Sequence, residues 1–247
     1  MKSKLKTKIT LVYYAAIAAL CVVFASMSTN AFRIVDSQVT NVSVDNNTKP
    51  TFVIDAGHGG EDGGTVSAEG LVEKDVNLKI AMKLKKLLTF SGFDVVMTRE
   101  DDISIHDQGA EDVKKRKVSD LKNRLAICNG NASNIFVSIH QNQFTNSKYS
   151  GAQVFYSANN SKSQLMATSI KDAFQGLLQP ENEREIKKAD NNIYLLWNAQ
   201  VPAVVVECGF LSNPDEAYLL STDEYRDKVA FTIYCGLLNY CNTNYAT

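Results

Sequence analysis

From Thr51 onward, short apolar runs alternate with longer amphipathic stretches. Phe52-Val53-Ile54, residues 93–98, 135–142 (IFVSIHQN) and 151–157, and the run Ala203-Val204-Val205-Val206 have the length and the β-branched or aromatic content of strands. Between them, residues 71–88 place Val72, Val76, Ile80, Leu84, Leu87 and Leu88 on one stripe with lysines opposite, which predicts a helix packed on a sheet. Leu121, Leu125 and Cys128 mark a second helix, closed by Gly130. Residues 163–178 predict a third, and 215–220 and 225–240 close the chain as helices. Residues 193–197 are apolar but too short to assign between strand and helical turn. Regular alternation of strand and helix predicts an α/β fold in a single domain, with a largely parallel sheet between helices.

The polar stretches bound this domain. Residues 103–118 carry His106 and the run Lys114-Lys115-Arg116-Lys117. They read as a solvated loop or a mixed-charge helix start, with a substrate- or partner-binding loop as the functional alternative. Residues 180–192 read as a surface loop. At the amino terminus, Lys2, Lys4, Lys6 and Lys8 precede an apolar run over 9–27 and then small polar residues. That layout predicts a signal peptide in residues 1–31, with an uncleaved membrane anchor as its rival because the run is long enough to span a bilayer. Residues 32–50 form a linker, with a short edge strand at 39–44 as an option, and 51–241 form the catalytic domain. Either leader exports the domain, and membrane contact is expected only through it. Without the four lysines the formal charge falls from −1 to −5, which argues against nucleic acid as a partner. Cys21 belongs to the apolar run. Cys128, Cys208, Cys235 and Cys241 read as small buried hydrophobes, with Cys235–Cys241 and Cys128–Cys208 bridges left open.

The candidate chemistry sits where strands end. Phe52-Val53-Ile54 breaks into Asp55-Ala56-Gly57-His58-Gly59-Gly60, a glycine turn presenting a histidine, and the next helix opens near Glu73. His140 and Glu207 likewise follow apolar strands at the carboxyl edge, where open α/β sheets build their sites. In residues 135–142, alternation puts Ser138, His140 and Asn142 on one face. Two histidines and a carboxylate are a common zinc set, and a further carboxylate can then handle protons. Glu207, at a strand end beside a glycine turn, suits that second role. His106, in the polar insertion, is expected to be an ordinary packed or surface histidine. The glycines at 57, 59, 60, 63, 64 and 70 predict loosely held loops, and hence an ordering cost on metal binding.

Five stretches carry a resemblance: 53–60 (VIDAGHGG), 73–77 (EKDVN), 98–101 (TRED), 138–142 (SIHQN) and 206–213 (VECGFLSN). In this order, over nearly all of 51–240, they resemble the zinc-dependent N-acetylmuramoyl-L-alanine amidases. The polar insertion and Cys208 resemble the germination-specific, spore-cortex branch. The resemblance implies a twisted sheet of about six strands, Zn²⁺ on His58, Glu73 and His140, and catalysis by Glu207. It implies hydrolysis of the amide between N-acetylmuramic acid and L-alanine in peptidoglycan, a step towards muramic δ-lactam in the cortex branch. It implies action outside the cytoplasm, in the cell envelope or the forespore intermembrane space. Asn142 is a candidate substrate contact. Gln141 departs from the small residue usual there, and alternation turns it away from the face of His140. Four rivals stand beside this: a nucleophilic Cys208 with His140 as base, a non-catalytic muropeptide-binding module, an amidase that needs an accessory protein to order its metal site, and a structural His58 and His140 that bind nothing.

Overall fold

The computed structural model describes residues 50–245. The predicted leader, linker and edge strand over 39–44 lie outside the described residues. Six strands form one sheet: β1 (Thr51–Ala56), β2 (Val95–Met97), β3 (Asn134–Asn142), β4 (Gln153–Tyr156), β5 (Lys187–Lys188) and β6 (Ala203–Phe210). Their order is β2-β1-β3-β6-β4-β5. The first four pair in parallel, β4 runs antiparallel to β6, and β5 is parallel to β4. The largely parallel α/β sheet expected from the alternation is therefore present.

Among the described residues, six helices cover the sheet: α1 (Glu73–Phe90), α2 (Val113–Cys128), α3 (Ser161–Leu177), α4 (Tyr194–Asn198), α5 (Pro214–Ser221) and α6 (Asp223–Asn244). One face buries Phe52, Ile54, Val137, Ile139, Val204 and Val206 against Ile80 and Leu84 of α1, Ile170 of α3 and Ile233 of α6. The other buries Val53, Phe136 and Val205 with Cys128 of α2 and Leu196 of α4. Covering both faces explains why the central strands read as continuous apolar runs.

Local signals account for the helix ends. Asp112 caps α2 by accepting the Lys115 N–H at 2.7 Å, so α2 begins within the lysine run, which forms its first turns. Asn160, Asn213 and Thr222 cap α3, α5 and α6. Val72 gives α1 no side-chain cap. Two of its first amides instead donate to loop carbonyls, Glu73 N to Thr65 and Lys74 N to Gly63. Residues 194–198 resolve as a helical turn, and the loop at 180–192 contains the two-residue β5, which no periodicity could reveal at that length. The four described cysteines are free, so neither bridge left open by the sequence forms.

Candidate metal centre

The carboxyl ends of β1, β3 and β6 and the start of α1 meet at one edge of the sheet. In β3, His140 pairs in register with Glu207 of β6. The ladder resumes at Asn142 and Phe210, so β6 carries an extra residue just past Glu207. Such a bulge re-aims a strand end. His58 lies in the turn after β1, and Glu73 opens α1 and reaches over the sheet edge.

His58, Glu73 and His140 offer ligand atoms that all lie within 4.8 Å of one another. Glu73 Oε1 is 3.2 Å from His58 Nε2 and 3.0 Å from His140 Nδ1. The two rings stand edge to face, with centroids 4.9 Å apart. Glu73 is 4 % exposed. Its Oε1 also accepts the Gln141 N–H at 3.1 Å, and its Oε2 the Thr65 N–H at 2.8 Å. Burial works against the charged carboxylate, but hydrogen bonds and charge from His140 and His58 hold its pKa well below the ordinary range. Burial likewise disfavours a charged His58, but Asp62 and Glu73 outweigh it and raise that imidazole to about 9. Two imidazoles and a carboxylate with converging ligand atoms could hold a divalent metal ion.

Glu207 stands beside this set. It has no hydrogen-bond partner on Oε2, which is buried. Burial pushes its carboxyl up to about 7; the positive character of His140 opposes this and the Glu73 charge adds to it. A carboxylate poised near neutrality, with a free oxygen beside two imidazoles, can both accept and donate a proton.

Glycine has a steric reason at two positions. A Cβ on Gly57 would meet the His140 ring at 2.3 Å. A Cβ on Gly64, where φ is +69°, would meet Glu73 Oε2 at 2.5 Å. The loop between them is not loosely held, as its glycines suggested. Gly59 and Asp62 exchange backbone hydrogen bonds, the Gly60 N–H reaches Asp102 Oδ1, and Lys74 Nζ reaches the Gly60 carbonyl.

Two buried arginines that the apolar pattern could not single out build the floor. Arg124 of α2 pairs with Asp55 at 2.6 Å and donates to the carbonyls of Ala56 and His58. Arg99 donates to those of Ala56 and Gly57. Ser138 and Thr98 complete the shell of Asp55. Burial opposes the Asp55 charge, but Arg124 and these hydroxyls keep its pKa below the usual value. Glu216 of α5 holds the bulged end of β6 by accepting the Phe210 and Gly151 amides.

The remaining candidates separate from the cluster. Asn142 sits half-buried at the rim, where its Oδ1 accepts the Gln143 N–H. Gln141 lies buried on the opposite side of β3, as alternation predicts. Its amide donates to Asn77 Oδ1, and Asn77 in turn donates to Glu73 and to the Gly57 carbonyl. His106 bonds Ser104 away from the centre. Cys208 is fully buried, and burial pushes its thiol above the ordinary range, with the Glu207 charge adding to it. That overturns the reading of Cys208 as a nucleophile, since the reactive species is the thiolate.

Sheet, edge and cluster define a centre whose side chains could hold a metal beside a carboxylate oxygen without a hydrogen-bond partner. The profile of the family described as N-acetylmuramoyl-L-alanine amidase matches residues 52–239. The germination-specific N-acetylmuramoyl-L-alanine amidase of Bacillus subtilis is 40 % identical over 187 residues, covering 76 % of this chain and 78 % of the relative. The CwlD amidase of Clostridioides difficile, solved in complex with the GerS lipoprotein, superposes with a TM-score of 0.76 at 40 % identity, over 79 % of this chain and all of that one. An N-acetylmuramoyl-L-alanine amidase from Clostridium difficile 630 gives 0.68 at 30 % identity, over 80 % and 99 %. The chain belongs to the N-acetylmuramoyl-L-alanine amidase family and is a peptidoglycan amidase.

Proposed function

We propose that His58, Glu73 and His140 hold a zinc ion and that Glu207 is the proton-transfer group. One observation carries this: three donors converge within 4.8 Å beside a buried carboxylate oxygen that has no other partner. Bound there, zinc would supply Lewis acidity towards water and the substrate carbonyl oxygen. Glu207 Oε2 takes a proton as water adds to the lactyl carbonyl carbon of N-acetylmuramic acid. It returns that proton to the alanine nitrogen as the C–N bond breaks. The products are a free lactyl carboxyl group and a stem peptide beginning at L-alanine. The Arg99 and Arg124 clamps on the glycine turn fix His58 throughout, and Asn142 at the rim is proposed to contact the substrate.

We place the substrate in spore cortex, where muramic acid freed of peptide leads on to muramic δ-lactam. The support is the likeness to the germination-specific amidase of B. subtilis. Export by the amino-terminal segment follows from a peptidoglycan substrate. Among the described residues, no helix is long and apolar enough to cross a membrane. An accessory lipoprotein is proposed as a partner because the C. difficile relative was solved with GerS.

The test is muropeptide release by the purified protein with added Zn²⁺, with chelator, and in Glu207→Ala. Free stem peptides beginning at L-alanine, lost with chelator and with Glu207→Ala, are the expected result. Bound metal without release would favour a muropeptide-binding module, and neither metal nor release would point to the missing partner.

A further inference from the structure

Among the described residues, His58 is the one non-glycine residue with positive φ, at 62°. A left-handed β-carbon is unfavourable, so such a residue persists only when its surroundings over-determine it. The surroundings of His58 come largely from one helix. Arg124, in the fourth turn of α2, donates to the His58 carbonyl at 2.7 Å. The first turn of α2 grips the other side. Arg116 engages both oxygens of Glu61, through Nε to Oε1 and through Nη2 to Oε2 at 2.8 Å. Lys117 Nζ lies 3.1 Å from Asp62 Oδ2. Asp62 Oδ1 lies 3.1 Å from His58 Nδ1, the ring nitrogen turned away from Glu73.

We propose that Asp62 is a positioning residue that fixes the ring of His58, and that Arg116 and Lys117 of α2 hold it there, so that the basic run of the polar insertion sets the site's affinity for its metal. A ligating histidine is oriented by the acceptor on its other nitrogen, and Asp62 is that acceptor. Two surface cations would be ordinary solvated charges elsewhere. Here a two-pronged pair and a single pair converge on consecutive residues, four positions from the ligand, and a cleft of about 140 Å³ separates the loop from α2. The loop rests on the helix through side chains rather than through packing. The insertion itself is fixed to α2, because Asp120 accepts from Ser104 and Ile105 while bonding Arg124. Helix and insertion therefore act on the loop as one body.

This inference rests on the zinc reading above, and the experiment separates the two. Zinc affinity of the full chain is measured by competition with a chromophoric chelator, alongside the metal-free melting temperature and the ¹⁵N shifts of the His58 ring. Asp62→Asn is expected to weaken zinc roughly ten- to a hundredfold. Lys117→Met and Arg116→Met are expected to weaken it roughly two- to fivefold each, because exposed ion pairs are weak. The metal-free melting temperature should hold in the lysine and arginine variants while the His58 ring shifts move. Lys117→Met added to Asp62→Asn should cost nothing further, since Lys117 acts through Asp62. Unchanged affinity and ring shifts in Lys117→Met and Arg116→Met would overturn the inference, as would additive losses in the double variant. A wild-type chain that binds no zinc, yet whose His58 shifts answer to Lys117→Met, would overturn the zinc reading and leave the positioning role standing.

Discussion

Glu207 keeps a buried carboxylate oxygen without a partner, an arrangement that costs stability and so calls for a functional reason. Replacing it with the neutral isostere separates the two effects. Glu207→Gln should lower turnover at least about a thousandfold, or ~4 kcal/mol of transition-state stabilisation, while zinc stays bound and the melting temperature does not fall. Activity assay, metal analysis and calorimetry on one preparation check this. His58 carries the pH dependence. Its folded pKa is raised from 6.5 to about 9 in the metal-free protein. A raised pKa contributes stability that is fully present below 6.5 and is lost as pH climbs through about 9. The metal-free protein should therefore lose up to about 3 kcal/mol across that window. The loss should vanish in His58→Gln and in the zinc-loaded protein, where metal has displaced the proton. Glu73, held below the ordinary range by His140 and then His58, loses its contribution only on acidification, and the raised Glu207 loses its share between 4.5 and about 7, below most of the His58 window.

Helix α2 shows how one element serves both core and site. Its inner face packs Cys128 among Val53 and Phe136. On the same helix, Arg124, 2 % exposed, neutralises the fully buried Asp55 and braces the glycine turn. Arg124→Met should destabilise the protein by about 3–5 kcal/mol, because it strands a buried carboxylate, and Asp55→Asn in addition should recover part of that loss. Denaturant unfolding of the two variants checks the prediction. The sequence marked the core role through Leu121, Leu125 and Cys128 but gave no sign of the role at the site. Lys114 to Lys117 show no apolar stripe, so the sequence left that stretch open between a loop and a helix start, and the Asp112 cap decides for the helix. Arg124 sits four residues from Asp120, an ordinary surface spacing until burial puts Asp55 beside it.

The whole molecule links metal to stability. The candidate donors come from the turn after β1, the start of α1 and the end of β3, and His140 joins the other two from across the chain only in the folded sheet. Zinc bound to the folded state alone should stabilise it by about 2.7 kcal/mol when free metal is a hundredfold above Kd. For a domain of this size that raises the melting temperature by roughly 5–10 °C. Chelator should reverse the shift, and His140→Ala should abolish it. Scanning fluorimetry with and without zinc reads both.

The sequence by itself determined the class of the fold and the places where chemistry could occur. Strand and helix periods are local properties, and residues at the carboxyl ends of parallel strands share one edge by topology. His58, His140 and Glu207 were legible as candidates for that reason, Glu73 as the acid opening the helix that follows, and alternation turned Gln141 away from the ring of His140. Only the tertiary structure decided what holds them. The Asp55–Arg124 pair, the two arginine clamps, the support of Glu73 by Asn77 and Gln141, and the hold of α2 on the His58 loop join residues remote in the chain or separated by a turn. Burial makes a charge costly and so makes its partner matter, and burial follows from packing rather than from any local pattern.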